Sequence, residues 1–231
     1  AGVMSAHPLS GSVVAVVGAS GALGSRIARG AADRGADVVL VGRDEQRLRV
    51  VVDGAAVVVG DVSDATLGER VVAVATERHG GLDGLVNAAG VVAFGSLVDT
   101  DDAVIEEVFL TNVLGPLFLV RRVVPALAAR RGFLAQLSAV VAEQPLPGMA
   151  VYAASKAALT AADRALTREL RRSGVDVIDL RPPHTETGLA GRPLSGEAPR
   201  LPQGLDPDLV ARQVLDAIEA GRAEVASTDF G

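Results

Sequence analysis

The 231-residue sequence contains no cysteine, no tryptophan, one tyrosine and three histidines. Without cysteine the chain has no disulfide, no thiol nucleophile and no thiolate metal site. The histidines, His7, His79 and His184, are far apart and lack the spacing of an HExxH motif, which argues against a zinc hydrolase. Aromatic residues make up only 3% of a chain that is 49% apolar, so valine, alanine and leucine must form the core.

Positive charge is also in short supply. Lysine and arginine total 22 against 28 acidic residues, for a net charge of −6, whereas a nucleic-acid-binding surface needs a basic excess. No uninterrupted apolar run reaches the roughly 18 residues of a membrane span. Residues 1–11 lack the basic start and apolar core of a signal peptide. We therefore expect a flexible leader over residues 1–11 and a cytoplasmic protein.

Short valine-rich runs alternate with longer stretches of helical pattern. The runs are apolar on both faces, as in a parallel sheet covered by helices; they are Val13–Val17, Val38–Val41, Ala55–Val59, Leu82–Val86, Gly132–Leu137 and Val175–Leu180. Helical patterns lie at about 22–34, 44–52, 64–78, 102–130, 151–173 and 206–220. The alternation predicts one α/β domain over residues 12–231, a doubly wound (Rossmann) parallel sheet with helices on both faces. The Pro- and Gly-rich residues 183–205 are expected to form a long substrate loop.

A glycine-rich turn joins the first predicted strand to the first predicted helix. Glycines let the backbone approach a pyrophosphate closely, and the helix N-terminus offers free N–H groups to the phosphates. The position between strand and helix is the context that this motif requires. The turn therefore predicts a dinucleotide site that includes Gly18, Ser20, Gly21, Leu23 and Gly24.

The end of the second predicted strand bears on the choice between NADP(H) and NAD(H). An acid there binds the ribose 2′-hydroxyl, whereas a cation accepts a 2′-phosphate. The strand ends at Gly42 and Arg43 follows, with Asp44 one residue later. Because a guanidinium matches phosphate geometry, NADP(H) is favoured over NAD(H). The alternative is that Arg43 is a solvated residue at the start of a helix.

Tyr152 and Lys156 are the only tyrosine and the only lysine in the chain. Four residues apart on a predicted helix, they share one face. A cation beside a phenol lowers its pKa from about 10 and makes it a usable acid or base. The pair predicts proton transfer at this helix, and the alternative is a coincidence of helical spacing.

Taken together, these motifs resemble the short-chain dehydrogenase/reductase family over about residues 12–226. The matching elements are the glycine turn, Asp61-Val62, Asn87-Ala88-Ala89-Gly90, Asn112, Tyr152-x-x-x-Lys156 and Arg181-Pro182-Pro183 with Thr187. The resemblance implies an oxidoreductase that transfers hydride between a nicotinamide cofactor and a carbonyl or secondary alcohol. Tyr152 would then be the proton donor, or the acceptor in the reverse direction.

The resemblance also implies roles for other residues. Lys156 would hold the nicotinamide ribose and lower the pKa of Tyr152, while Asp61 and Val62 would face the adenine. The adenine ribose side would be lined by Asn87, Ala88, Ala89 and Gly90, and the nicotinamide end by Pro182, Thr185 and Thr187. Relatives are often dimers or tetramers, so a homo-oligomer acting on a small apolar carbonyl or alcohol is expected.

Asn112 also has a local argument. In a regular helix residue 116 would donate its N–H to the carbonyl of Asn112, but residue 116 is proline and has no N–H. The carbonyl is therefore released, and the resemblance implies that it holds a water connected to Lys156. The alternative is simply a proline-kinked helix.

The chain departs from the family at one catalytic position. The usual serine lies thirteen residues before the tyrosine, where this chain has Ala139, and Ser138 lies one residue earlier. Adjacent residues of an extended chain point to opposite sides, so Ser138 replaces the missing hydroxyl only if the chain bulges or rotates there. Other side chains that would supply a donor are Gln144, Glu143 and His184. Ala139 also motivates an alternative function, a catalytically weakened or inactive cofactor-binding scaffold.

Overall fold

The computed structural model describes residues 5–231, and within them seven strands form one parallel sheet. The strands are β1 Val13–Val17, β2 Asp37–Gly42, β3 Ala56–Val59, β4 Gly84–Asn87, β5 Phe133–Leu137, β6 Asp176–Leu180 and β7 Glu224–Val225. Their order across the sheet is β3-β2-β1-β4-β5-β6-β7, with every neighbouring pair parallel. The doubly wound α/β architecture predicted from the alternating pattern is thereby confirmed.

Helices connect the strands and cover both faces of the sheet. They are α1 Ala22–Asp33, α2 Glu45–Arg49, α3 Leu67–His79, α4 Asp102–Phe109, α5 Gly115–Arg130, α6 Ala150–Glu169 and α7 Pro207–Glu219. Helix α6 continues into a 3-10 turn at Leu170–Ser173. On one face α1 packs against α7, and on the other α3 packs against α5. All the helical patterns of the sequence are therefore present, with ends that shift by at most four residues.

The core lies in two apolar layers separated by the sheet. Alternate residues of β1 point into opposite layers: Val14 and Val16 into the layer under α1 and α7, Ala15 and Val17 into the layer under α3 and α5. Every residue of β1 is buried. This two-sided burial explains why the strand sequence is apolar throughout instead of alternating.

Residues 102–130 form one long helix with a defect in its middle. A π-helical turn, Leu110–Leu114, joins α4 to α5, and the N–H of Gly115 donates to the carbonyl of Leu110. The helix is long and apolar enough to cross a membrane, as the core helix of a soluble protein can also be. Its Leu119, Val123 and Leu127 are buried in the core against the sheet, so this is a core helix of the α/β domain.

Two expectations need correction. Residues 5–11 are not a loose leader, because Leu9 is fully buried in the core and the Nε2 atom of His7 lies 2.9 Å from Oδ2 of Asp176; residues 1–4 of the predicted leader lie outside the described residues. The strand β7 has no counterpart among the predicted strands. It has only two residues and adds to the edge of β6 after α7, so its apolar pattern is too short to detect.

Successive strands are added on one side of β1 as far as β3, and from β4 onward they are added on its other side. The strands β1 and β4 are therefore neighbours although β2 and β3 lie between them in sequence. In an open α/β sheet such a switch point opens a crevice at the carboxyl ends of the strands, where ligands bind. Gly18 follows β1 and Ala88 follows β4 at this edge.

Candidate functional site

A cleft of about 730 Å³ runs along the carboxyl edge of the sheet. All the residues predicted to bind cofactor line it except Asn87: they are Gly18, Ser20, Gly21, Leu23, Gly24, Arg43, Asp61, Val62, Ala88, Ala89, Gly90, Tyr152, Lys156, Pro182, Thr185 and Thr187. Its size is in the range of small-molecule sites. The fold thus brings six separated segments of the sequence to a single surface.

The glycine turn forms one end of the cleft with backbone alone. Gly18 adopts φ +77°, and a Cβ atom on Gly24 would lie only 2.1 Å from the carbonyl oxygen of Gly18. Gly21 is the N-cap residue of α1 and provides no capping side chain, so no side-chain acceptor satisfies the first N–H groups of the helix there. Such a turn fits the pyrophosphate of a dinucleotide.

Two arginines flank the cleft beyond β2. Arg43 is largely exposed, with Nη1 3.7 Å from Oδ2 of Asp61. Arg47, one helical turn later, donates from Nη2 to the carbonyl of Ser20 at 2.9 Å. The side chain of Asp44 accepts from the backbone N–H of Arg47 at 3.1 Å as the N-cap of α2. Asp44, the acid next to Arg43, therefore serves as the N-cap of α2.

Tyr152 and Lys156 lie on the first two turns of α6, on the wall of the cleft. The Nζ atom of Lys156 donates to the carbonyl of Leu137 at 3.0 Å, at the end of β5. Removal from water raises the pKa of Tyr152 to about 12 and lowers the pKa of Lys156 to about 8. At neutral pH the phenol is therefore protonated, contrary to the lowered pKa expected from its pairing with Lys156, because burial outweighs the effect of the cation. The amine titrates close to the physiological range.

Asn112 is 1% exposed and acts through its side chain. Its Oδ1 accepts from the N–H of Val91 at 2.9 Å, while Nδ2 donates to the carbonyl of Val91 at 2.8 Å and to Oγ of Ser155 at 3.0 Å. These bonds tie the segment after β4 to α6. As a result Gly90 lies against the amine, since a Cβ there would come within 3.3 Å of Nζ of Lys156.

Asn87 is buried in the sheet and lies behind the cleft wall. It donates from Nδ2 to Oε1 of Gln136 at 3.2 Å and accepts at Oδ1 from the N–H of Ala89 at 3.2 Å. The side chain therefore shapes the turn after β4, which carries the cleft-lining residues Ala88, Ala89 and Gly90.

The chain does not bulge or rotate at Ser138 in the way that a catalytic role for its hydroxyl would require. Its hydroxyl donates to the carbonyl of Lys156 at 2.9 Å and accepts from Oγ1 of Thr160 at 3.0 Å, so it points into α6. Ala139 instead packs in an apolar cluster with Tyr152. The residue that shares a cluster with Tyr152 thus carries a methyl group, and the hydroxyl on the neighbouring residue bonds to α6.

The other suggested donors have different surroundings. Glu143 pairs through Oε1 with Arg181 at 2.8 Å and accepts at Oε2 from Oγ of Ser227 at 2.5 Å, so both of its oxygens are already engaged. Gln144 and His184 line the cleft. Of the three candidates, these two are placed to reach a ligand there.

Apolar side chains form the substrate end of the cleft. The buried members of this cluster are Val92, Phe94, Val141, Met149 and Ala153, with Leu189, Ala190 and Leu201 of the loop packed against them. The loop over 183–205 is anchored: the N–H of Leu194 donates to the carbonyl of Val92 at 2.8 Å, and the N–H of Phe94 donates to the carbonyl of Ser195 at 2.9 Å. It closes one side of the cleft.

Several residues near the site were missed in the sequence. Arg47 follows Arg43 by one helical turn, and that spacing was a usable signal. Gln136, Asp163 and Asp179 are polar residues in buried apolar strands or on a buried helix face, where each needs a partner. Their polarity marked them as unusual, but only the tertiary structure shows that Gln136 meets Asp163 and that Asp179 meets Thr160.

Comparison with known proteins supports the family resemblance carried by the sequence motifs. Residues 12–197 match the short chain dehydrogenase family. The chain is 30% identical to dehydrogenase/reductase SDR family member 7B of Danio rerio, over 95% of this chain and 78% of that protein. It is 31% identical to an uncharacterized oxidoreductase of Staphylococcus saprophyticus, over 94% and 91% of the two chains.

A solved structure is also similar over nearly the whole chain. A short chain dehydrogenase from Burkholderia cenocepacia, determined in complex with NADP, superposes with a TM-score of 0.85 at 26% identity and covers 97% of this chain and 90% of that one. The chain therefore belongs to the short-chain dehydrogenase/reductase family. It is an NAD(P)-dependent oxidoreductase acting on a CH–OH or C=O group, and these relatives do not favour the scaffold alternative.

Proposed function

We propose that this enzyme reduces a small apolar carbonyl compound with NADPH and that Tyr152 is the general acid. The observation that carries the proposal is the position of the Tyr152 phenol on the cleft wall, four residues before Lys156 and beside the apolar cluster. A phenol with a pKa of about 12 is protonated at neutral pH. It is therefore ready to give a proton to a carbonyl oxygen, which favours the direction of reduction.

Each remaining residue of the site has a role in this proposal. The cofactor, when bound, supplies the hydride. Lys156, held by the carbonyl of Leu137, places a positive charge near the phenol and stabilises the phenolate left after proton transfer. Asn112 keeps Val91 and α6 in fixed relation. Thr185 and Thr187 would bind the nicotinamide carboxamide, and Asp61 and Val62 would lie beside the adenine.

The preference for NADP(H) rests on Arg43 and Arg47. Both guanidiniums line the ribose end of the cleft, while Asp44, the nearest acid in sequence, accepts from the N–H of Arg47. A phosphate suits the forked donors of arginine. Binding of NADP by the Burkholderia cenocepacia relative is consistent with this choice.

The preference is tested with Arg43→Ala, Arg47→Ala and the double variant. Each single change should raise the Kd for NADPH about tenfold, because a charge-assisted hydrogen bond contributes roughly 1.5–3 kcal/mol. The Kd for NADH should not change, since it lacks the phosphate. Arg49→Ala is the matched control, because Arg49 pairs with Glu45 on the outside of α2. Equal losses for both nucleotides, measured by calorimetry, would contradict the phosphate role.

The catalytic role is tested with Tyr152→Phe. Loss of the acid should lower kcat about 10²–10⁴-fold on any ketone that the wild type reduces, while the Kd for NADPH stays the same. Oxidation of NADPH is followed at 340 nm across a panel of aliphatic and aromatic ketones. Wild-type turnover in the variant would refute the mechanism.

The proposal includes a homo-oligomer, a dimer or tetramer, in the cytoplasm. Leu114 and Leu117 are exposed on the long helix over 102–130, and both side chains are apolar. Burying such side chains against a second copy would remove them from water. Light scattering should give a mass above 23.5 kDa, and Leu114→Glu with Leu117→Glu should reduce it to one chain. A wild-type monomer at working concentration would contradict this part.

A further inference from the structure

Three buried polar side chains join helix α6 to the turn that follows β4. They are Asn87 at the end of β4, Gln136 in β5 and Asp163 on α6, and each is at most 1% exposed. Polar groups buried this deeply are normally hydrogen-bonded or functional. The proposed mechanism uses neither Gln136 nor Asp163.

The three side chains form one continuous series of hydrogen bonds. Asn87 and Gln136 are register partners on neighbouring strands, and Nδ2 of Asn87 donates to Oε1 of Gln136 at 3.2 Å. Nε2 of Gln136 in turn donates to Oδ1 of Asp163 at 2.5 Å. At the other end, Oδ1 of Asn87 accepts from the backbone N–H of Ala89 at 3.2 Å. The series therefore runs from the wall of the cleft across two strands to α6.

The backbone at Ala89 fixes the direction of every bond in the series. Because a backbone N–H can only donate, Oδ1 of Asn87 faces Ala89 and its Nδ2 group faces Gln136. The amide of Gln136 must then turn its oxygen toward Asn87 and its Nε2 group toward Asp163. Asp163 is thus needed as an acceptor, and an apolar residue there would leave a buried donor without a partner.

Asp163 can accept this bond as a neutral carboxyl group. Burial raises the pKa of Asp163 well above the ordinary value of an aspartate, against the opposing effect of the hydrogen bond from Gln136. A neutral carboxyl group keeps a carbonyl oxygen, which is the acceptor that Gln136 requires. Asparagine offers the same oxygen, so the series needs an acceptor at position 163 and not a charge.

The two ends of the series lie on opposite walls of the cleft. Ala89 lines the wall predicted to hold the cofactor, whereas Tyr152 and Lys156 line the other wall from α6. Asp163 follows Lys156 by two helical turns, and both side chains are buried. Asn112 ties the same two elements together nearer the amine. The series is therefore a second connection between the cofactor wall and the helix that carries the phenol.

We propose that Gln136 and Asp163 are positioning residues that set the spacing between the cofactor turn, residues 88–90, and the proton-transfer pair on α6. Asp163 orients Gln136, Gln136 orients Asn87, and Asn87 holds the backbone of the turn. The inference rests on the proposed function in taking this turn as part of the cofactor site and α6 as the carrier of the general acid. Such spacing matters because a misplacement of about 1 Å can lower a rate about 10²-fold.

The series itself is tested by NMR on the full chain without cofactor or substrate. Asn87 and Asn112 are the only asparagines, so labelling with ¹⁵N-asparagine gives two side-chain amide signals, which triple-resonance spectra assign. In Gln136→Leu/Asp163→Ala the Nδ2 proton signal of Asn87 should move upfield, because this proton loses its acceptor. In Asp163→Asn it should stay in place. An unmoved signal in the double variant would show that the series does not exist.

The positioning role is tested with the same double variant. Gln136→Leu/Asp163→Ala replaces both polar partners with apolar residues of nearly the same total volume, a change that can leave stability close to that of the wild type. A purely structural pair would then be dispensable. For positioning residues we expect the Kd for NADPH to rise about tenfold and kcat to fall about tenfold or more, with the KM for the ketone unchanged. Asp163→Asn should keep the wild-type values, because its oxygen accepts from Gln136.

Thr160→Val is the matched control. Thr160 is also buried on α6, and its hydroxyl bonds to Ser138 and Asp179, which lie outside the series. This variant should lose stability while the Kd for NADPH and kcat stay unchanged.

Wild-type Kd and kcat in the folded double variant would overturn the proposal and leave Gln136 and Asp163 as structural residues only. If circular dichroism shows that the double variant is unfolded, Asp163→Ala alone decides the question by the same two constants. Because the NMR measurement needs neither cofactor nor turnover, failure of the inference is distinct from failure of the enzyme to reduce a ketone.

Discussion

One wall of the cleft is formed mainly by backbone and small side chains, and the other mainly by functional side chains. On the cofactor wall, which follows β1 and β4, backbone and small side chains face the ligand, and Gly18 and Gly24 stand where a Cβ would collide with the chain. On the catalytic wall, formed by α6 and the end of β5, the working groups are the phenol of Tyr152 and the ammonium of Lys156. The same helix also buries a carboxyl group, that of Asp163.

This difference sets how each wall responds to change. The cofactor wall depends on space, so an added methyl group is its most damaging alteration, and pH has little to act on. The catalytic wall depends on charge in a buried setting, where a single titration alters neighbouring groups. The following experiments separate the two kinds of sensitivity, from the largest expected effect to the smallest.

The cofactor wall should fail by overcrowding. In Gly24→Ala the new methyl group would come within 2.1 Å of the Gly18 carbonyl, so the turn must shift. We expect the Kd for NADPH to rise about 100-fold or more and the free energy of unfolding to fall by about 1–3 kcal/mol. Gly191→Ala is the control, because the nearest atom there is 3.6 Å away. Normal binding by Gly24→Ala would mean that the turn adapts and that spacing is not its constraint.

The catalytic wall should respond to a hydroxyl at one position and not at its neighbour. Ala139→Ser places a donor in the cluster that contains Tyr152, and we expect kcat to rise about tenfold, less than the 10²–10³ that a donor built into a site supplies elsewhere. Ser138→Ala should leave kcat unchanged but lower the free energy of unfolding by about 1–2 kcal/mol, since two buried hydrogen bonds are lost. The reverse pattern, loss of turnover in Ser138→Ala and no gain in Ala139→Ser, would assign the donor to Ser138.

Only the catalytic wall should make stability depend on alkaline pH. The pKa of Lys156 is about 8 when folded against 10.5 ordinarily, so between these values the unfolded chain binds a proton that the folded chain does not. Stability therefore rises with pH in this window, by about 3 kcal/mol in total. Urea unfolding of Tyr152→Phe should show this rise, and Tyr152→Phe/Lys156→Met should not. The shared Tyr152→Phe background removes the opposing titration of the phenol, and parallel curves for the two variants would contradict the lowered pKa of Lys156 in the folded chain.

Much of the fold was accessible from the sequence because its signals are local. Apolar runs of four to six residues predicted six of the seven strands, since a strand buried on both faces has apolar residues at most of its positions. The glycine turn was found because its steric requirement falls on consecutive residues. Arg47 was missed although its spacing from Arg43 is helical, and β7 was missed because two residues carry no pattern.

The sequence by itself determined the layered sheet, the position of the cofactor turn and the pairing of Tyr152 with Lys156, because period, spacing and helical geometry act between residues close in the chain. Only the tertiary structure decided that Ser138 turns into α6, that Leu9 joins the core and that Asp163 is buried against Gln136. Those outcomes depend on contacts with distant residues, such as Thr160 with Ser138 and Asp176 with His7. Burial then fixed the protonation of the site, since desolvation is a property of the packed molecule and of no single segment.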